Sequence, residues 1–371
     1  MRKSTILLLC ISCALVATDS RGQSAAPTST HVGASNAKEK DKTQESSANR
    51  HLEVVQTIGA PSEALNTVAS LACDRDGNLY VGTDHYGASG IHKLSPKGER
   101  IALFQPNANP DLKVDLSVSL AFGPNGELYQ LVFPHEISRY VFVYKPDGTY
   151  KSAIKLQPGF PWVPYALAVF PQGSLFVSGL EYDHDRNNPV MWPFSGIFSA
   201  DGSLLKEVKL EDDDTLRELA AAGDARVTSP SNPSANHAIE FSKMETASDG
   251  NVYLMRWTNP AIFYAVSAGG EVVRRFTVDP GDSSYHPVTM HVSGTRIAVL
   301  FAQPQMEEEI VKVVDLEGHA IATYYQPMVN GKPKYGMLSL AFACYSQNPE
   351  RFTFLSAGDE DKLRFLIAEP R

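Results

Sequence analysis

A chain of 371 residues with a net charge of −9 and no block of Lys or Arg repels a phosphate backbone. That excludes the basic surface on which nucleic-acid binding depends. At 43% hydrophobic and 20% charged residues the composition is that of an ordinary folded protein, and the length suggests two or three domains unless the fold is all-β, where single units run long.

The chain opens on Arg2 and Lys3 followed by the apolar run ILLLCISCALVA (6–17). The run is too short to cross a bilayer and has the layout of a secretory signal. Cleavage is expected between residues 17 and 26, so residues 1–26 are read as the signal, with no transmembrane segment after its removal. Acylation at Cys13 is disfavoured, because the apolar run continues past it through Val16. The expected location is therefore the periplasm or the extracellular space, without a lipid anchor. From Thr18 to Arg50 the chain contains one bulky aliphatic residue, Val32. Residues 27–50 are accordingly read as a disordered linker, since they bury too little to offset their ordering entropy.

The first strand is predicted at HLEVVQTIG (51–59), and a repeated unit follows. Its copies are VASLACDRDGNLYVGT (68–83), SVSLAFGPNGELYQLV (117–132), YALAVFPQGSLFVSGL (165–180) and KMETASDGNVYLMRW (243–257), with two looser ones at 288–301 and 338–357. Each is an apolar strand, a glycine turn and an alternating strand. The turn glycines Gly77, Gly126, Gly173, Gly250 and Gly294 are 49, 47, 77 and 44 residues apart, so only the third interval carries an insertion. Asp-Gly and Asn-Gly fit two-residue hairpin loops with positive φ at the centre. A second glycine follows each first one, at Gly98, Gly148, Gly202, Gly270 and Gly318, in frames such as YKPDGTY and FSADGSL. Two hairpins per repeat mean four antiparallel strands, which is a propeller blade. The last copy has sequence for three strands only, and strand 51–59 is free to supply its fourth. The predicted fold is all-β: a six-bladed β-propeller of four-stranded antiparallel blades over residues 51–371, closed by the N-terminal strand joining the last blade.

The first repeat, with Asp-x-x-Gly-x-aliphatic-Tyr-Val, then Asp84, Ile91 and a second glycine, resembles six-bladed propellers of the NHL-repeat and TolB-like kind. The Asn-x-Arg-Ile tetrad of many NHL blades is absent. Metal-dependent lactonases of the gluconolactonase family share this fold, but their Asn-Gly-Leu strand start is replaced here by YALAVFP (165–171). Amidating lyases of this shape place histidines on alternate innermost strands, whereas His237 and His286 belong to adjacent repeats.

In a propeller the short turns after the innermost strands share one face, and the long loops, where ligands bind, share the other. Five histidines map to the long-loop face: His85, His135, His184, His237 and His286, spaced 50, 49, 53 and 49 apart. Converging imidazoles could bind a metal or shuttle protons, although independent surface histidines are the plainer reading. Asp183, Asp185 and Asn187 alternate as in the opening of a calcium loop, yet Asn188 stands where glycine is wanted and Phe194 where the closing Glu is wanted. Innermost-strand starts carry Asp115, Tyr165, His237, His286 and Tyr335, with Asp115, His237 and His286 as the candidates for catalytic roles. Trp192 and Trp257 are placed in long loops, and a short helix is expected after Thr215 in the connection 211–237. Cys73 and Cys344 lie at matching ends of the first and last repeats. A bridge between them requires Cα atoms within about 7 Å; two buried thiols are the preferred reading.

The function expected from these residues is a non-catalytic binding scaffold with no cofactor, engaging a protein, peptide or glycan through the long-loop face. Its ligand-binding candidates are His85, His135, His184, Tyr165, Trp257 and Tyr335. The alternative is a metal-assisted hydrolase or lyase, lactonase-like, using one calcium or zinc ion at the channel mouth.

Overall fold

The computed structural model describes residues 50–371 apart from 61–67, 84–89, 106–108, 110, 113, 135–138, 183–190, 216–234, 304–307, 331, 335–340 and 358–362. Strand β1 (Arg50–Gly59) precedes four antiparallel meanders of four strands each. The first contains β2 (Val68–Cys73), β3 (Leu79–Thr83), β4 (Ile91–Leu94) and β5 (Arg100–Phe104). The second contains β6 (Val114–Phe122), β7 (Leu128–Pro134), β8 (Tyr140–Tyr144) and β9 (Tyr150–Lys155). The third contains β10 (Trp162–Val169), β11 (Leu175–Tyr182), β12 (Met191–Phe198) and β13 (Leu204–Glu207). A short helix, α1 (Ala235–Glu240), leads into the fourth, with β14 (Lys243–Thr246), β15 (Val252–Arg256), β16 (Ala261–Val266) and β17 (Val272–Val278).

The remaining strands form one eight-stranded sheet. It begins with the meander β18 (His286–Ser293), β19 (Arg296–Gln303), β20 (Glu308–Asp315) and β21 (Ala320–Tyr325). A small hairpin of β22 (Met328–Val329) and β23 (Lys332–Pro333) follows, then β24 (Ala341–Gln347), β25 (Glu350–Ala357) and β26 (Leu363–Pro370). β1 inserts between β21 and β26. It runs antiparallel to β26, with Val54 opposite Ala368 and Ile58 opposite Phe365. Against β21 it is parallel and pairs only through Arg50 and His51.

The first strands of successive meanders touch in a closed cycle, β2 to β6, β6 to β10, β10 to β14, β14 to β18, β18 to β24, and β24 back to β2. The fold is a β-propeller. Its hydrophobic clusters lie between faces of neighbouring sheets, as where Leu131, Val141 and Ile154 meet Trp162, Leu175 and Phe194. At the closure Leu79, Val81 and Leu94 pack on Leu355 and Phe365. The aromatic that recurs in five of the six repeats, Tyr80, Tyr129, Phe176, Tyr253 and Phe354, is buried in every case.

Side chains also stitch the first strands together. Leu167 N–H donates to Ser119 Oγ at 3.3 Å, and Thr246 Oγ1 donates to the Val169 carbonyl at 2.8 Å. Gln347 N–H donates to Ser293 Oγ at 3.1 Å. Between β24 and β2 the link is covalent: Cys73 and Cys344 form a disulfide with Cα atoms 5.4 Å apart. The preference for two free thiols is thereby corrected. Sequence alone treats adjacent blades at a generic spacing, whereas here the two strands approach within bridging distance.

The turns also differ from expectation. In Asp74–Asn78 the loop holds three residues: Gly77 N–H donates to the Asp74 carbonyl, and Asp74 N–H to the Asn78 carbonyl. Gly77 is left-handed at φ 77°, and among the described residues the sole non-glycine with positive φ is Asn330. This is a three-residue loop ending in a bulge, not a two-residue turn. The Asp74 carboxylate accepts from the backbone N–H groups of Asp76 and Asn78, which is why an acid starts the turn. The second glycine of each repeat has a different purpose. At Gly202, φ 90°, an added Cβ would overlap the Lys155 carbonyl at the outer edge of the preceding sheet. Gly98 meets Ile58 of β1 in the same way, so β1 takes the place of an outer strand.

Trp192 lies inside β12, opposite Glu181, and not in a loop. The loop reading failed because the strand extends beyond the apolar run that marks it in sequence. Trp162 is buried and stacks on Phe198, ring centres 5.6 Å apart.

Candidate binding site

The face opposite the glycine turns gathers several of the expected residues around α1. The helix forms because Ala238 and Ile239 point into the core. It ends where Ser242 Oγ donates to the Ala238 carbonyl at 2.7 Å and Ser242 N–H to Ile239 at 3.0 Å. It rests against β10, β11 and β12. On the other side, Trp257 N–H donates to the Ala238 carbonyl at 3.3 Å.

Beneath the helix lies Arg256, the last residue of β15, with no solvent exposure. Its guanidinium donates to Asp213 Oδ1 at 3.0 Å, Ser178 Oγ at 3.3 Å and Ser242 Oγ at 3.4 Å. Asp212 Oδ2 lies 3.6 Å from Nε, and the second oxygen of Asp213 accepts from Leu210 N–H at 2.9 Å. One buried cation thus joins β11, β15, the end of α1 and the chain leaving β13. A buried charge is tolerated only when paired and hydrogen-bonded. The network fixes the backbone on which Trp257, the next residue, is presented. The signal was legible: an Arg closing the apolar strand VYLMR, and an acid run, EDDD, to receive it.

Trp257 stacks on His286 with ring centres 5.6 Å apart and planes 12° apart, and Phe241 leans on the indole at 5.4 Å. Burial holds the His286 imidazole below its usual pKa, so it is neutral at pH 7. On the β10 side, Tyr165 OH donates to Glu240 Oε1 at 3.4 Å. Burial first, and then the Glu240 carboxylate, raise the Tyr165 phenol, with Arg139 opposing, so the hydroxyl stays protonated. An aromatic stack, a neutral imidazole and a hydroxyl–carboxylate pair can present flat apolar faces together with donors and acceptors to a polar ligand.

Of the expected site residues the structure brings together Trp257 and His286. Tyr165 joins Glu240 on the same helix that carries His237. His237 was expected at an innermost-strand start; instead it lies within α1, and the strand begins at Lys243. The reason is that Ala238 and Ile239 reach the core only as adjacent residues of a helical turn. Asp115 is the second residue of β6 and His286 the first of β18, on first strands three steps apart in the cycle. His85, His135, His184, Asp183, Asp185, Asn187 and Tyr335 lie outside the described residues, as does most of the helix expected after Thr215. Among the described residues no group of three or more His, Cys, Asp or Glu could hold a metal ion.

Sequence reasoning missed Glu245 and His291, polar residues inside the short innermost strands of two repeats. Glu245 Oε1 lies 2.7 Å from His291 Nδ1, and Oε2 accepts from Val292 N–H at 2.6 Å. His291 Nε2 lies 2.9 Å from the Phe342 carbonyl. A carbonyl only accepts, so Nε2 carries a proton and Nδ1 faces the carboxylate. Burial would lower the His291 pKa and Lys243 adds to that, but Glu245 and the two hydrogen bonds outweigh them and raise it. The pair spans β14, β18 and β24.

No family model matches the chain, and no curated protein matches it. Solved structures resemble it at low identity. A catalytically inactive virginiamycin B lyase from Staphylococcus aureus with quinupristin is 14% identical, covering 83% of this chain and 82% of that one, at a TM-score of 0.43. The PQQ-bound aldose sugar dehydrogenase from Streptomyces coelicolor is 13% identical over 87% and 99%, at 0.46. A WD40 domain from Neurospora crassa is 11% identical over 87% and 97%, also at 0.46. These neighbours include enzymes and a WD40 domain, and nothing about chemistry follows from them.

Proposed function

We propose that this chain is an exported six-bladed β-propeller that binds a peptide, protein or glycan through the long-loop face, around α1. The blade count follows from treating the eight-stranded sheet as two blades: the meander β18–β21, and β24–β26 completed by β1. The two-pair contact between β1 and β21 and the closed cycle of first strands support that division. Export is supported by the apolar N-terminal run and by a disulfide, which persists in oxidising compartments.

The observation that carries the binding reading is the convergence of the Phe241–Trp257–His286 stack and the Tyr165–Glu240 pair on one short helix. Its test is a titration of the purified chain against oligosaccharides and unstructured peptides, followed by tryptophan fluorescence and calorimetry. Trp257→Ala should weaken the binding found by roughly 30-fold, the loss typical of an aromatic anchor, and Tyr165→Phe should weaken it less. Binding that ignores both changes but is lost on Lys97→Glu, at a turn on the opposite face, overturns the assignment.

A further inference from the structure

Lys243 opens β14, a first strand flanked in the cycle by β10 and β18 and backed by β15. Its side chain is nevertheless exposed. With neighbours on both flanks and behind, that exposure opens on the axis of the ring or its mouth. Protein surrounds the ammonium closely enough for desolvation to lower its pKa. Among the described residues it makes no hydrogen bond or ion pair.

The acid that would ordinarily serve it is Glu245, two residues on and on the same face of the strand. Both Glu245 oxygens are already engaged, one with His291 Nδ1 and one with Val292 N–H. Glu245 raises the His291 pKa and so favours the imidazolium, and this pairing occupies the carboxylate without the lysine. Among the described residues the Lys243 ammonium is therefore left without a counter-ion, in a chain whose net charge is −9. A cation in a confined, partly desolvated space draws a counter-ion more strongly than one in open water.

We propose that Lys243 is the anchor of an oxyanion site at the axis of the ring, receiving the carboxylate of a small organic acid or of an acidic ligand residue. This deepens the binding reading above and rests on it for the identity of the face. The aromatic stack begins at Phe241, two residues before the lysine in the chain.

The test uses the intact chain and competitive acetylation with acetic anhydride, read lysine by lysine by peptide mass spectrometry. A free amine reacts and an ammonium does not. Succinate should slow acetylation of Lys243 saturably, by about tenfold or more, because a counter-charge a few Å away favours the ammonium. Lys97 and Lys151 should be unaffected. Calorimetry with succinate should show binding that Lys243→Met removes and Lys243→Arg retains, both variants being checked for native circular dichroism and melting. Protection by an Asp-rich decapeptide but not by succinate assigns the carboxylate to a macromolecular ligand; protection by succinate assigns it to a free acid. Protection by inorganic phosphate alone, or equal succinate binding in Lys243→Met, overturns the proposal. Trp257→Ala separates the two ideas: succinate protection that survives it while glycan or peptide binding is lost leaves both standing. Failure of glycan or peptide binding with succinate protection intact removes only the broader reading.

Discussion

Removing the Cys73–Cys344 bridge should destabilise this protein more than any single side-chain contact in it. The bonded residues are 271 positions apart. In the chain-entropy account, a loop of that length restrains the unfolded state by about 19 cal/mol/K, or about 5.6 kcal/mol at 25 °C. Unfolding entropy of about 2.1 cal/mol/K per residue over residues 50–371 makes each degree of melting temperature worth roughly 0.7 kcal/mol. The double variant Cys73→Ala, Cys344→Ala should therefore melt about 8 °C lower. Differential scanning calorimetry of the oxidised protein against the variant gives the value, and the same protein in reductant should fall with the variant. Strand β1 still pairs with β26 in either case, so the ring should retain its circular dichroism spectrum. A drop under about 2 °C would refute the reasoning, since it would mean that the unfolded chain gains almost nothing from being opened.

Asp213→Asn leaves the Arg256 guanidinium buried without its nearest charge and should cost about 3–5 kcal/mol in denaturant unfolding, the usual penalty for breaking a buried pair; a loss under about 1 kcal/mol would show that water reaches the site. Gly202→Ala combines a left-handed φ with overlap on Lys155 and should destabilise by more than about 1 kcal/mol, where Gly173→Ala, with no neighbour within 4 Å of an added Cβ, should cost less. Because the folded pKa of His291 is raised, its contribution to stability is fully present below the unfolded value of about 6.5 and is lost as pH rises through the folded value. The stability difference between the chain and its Glu245→Gln variant should therefore shrink between pH 6 and 9; a difference that is flat across that range removes the ion pair from the account.

Much of the architecture was legible in the chain. Alternating apolar residues and paired glycines at regular spacing specify four-stranded meanders because each strand and each turn is a local matter. The entry of β1 beside β26 was legible too, since a last repeat short of one strand leaves an edge that some other strand must cover. The site was only half legible. Trp257 and His286 fall in the repeat frame because they lie at strand ends, whereas Tyr165, expected at a strand start, is the fourth residue of β10.

What sequence alone could not decide was which residues share a partner across sheets. Whether Cys73 and Cys344 meet depends on the distance between two strands far apart in the chain. Whether His237 sits on a strand or a helix depends on where Ala238 and Ile239 find a core. Glu245, His291 and Lys243 belong to strands whose neighbours are set by closure of the ring, so the commitment of one acid and the isolation of one lysine emerge only when β14, β18 and β24 are brought side by side. Period and turn chemistry act within a few residues; charge pairing acts through space, and only the closed ring defines that space.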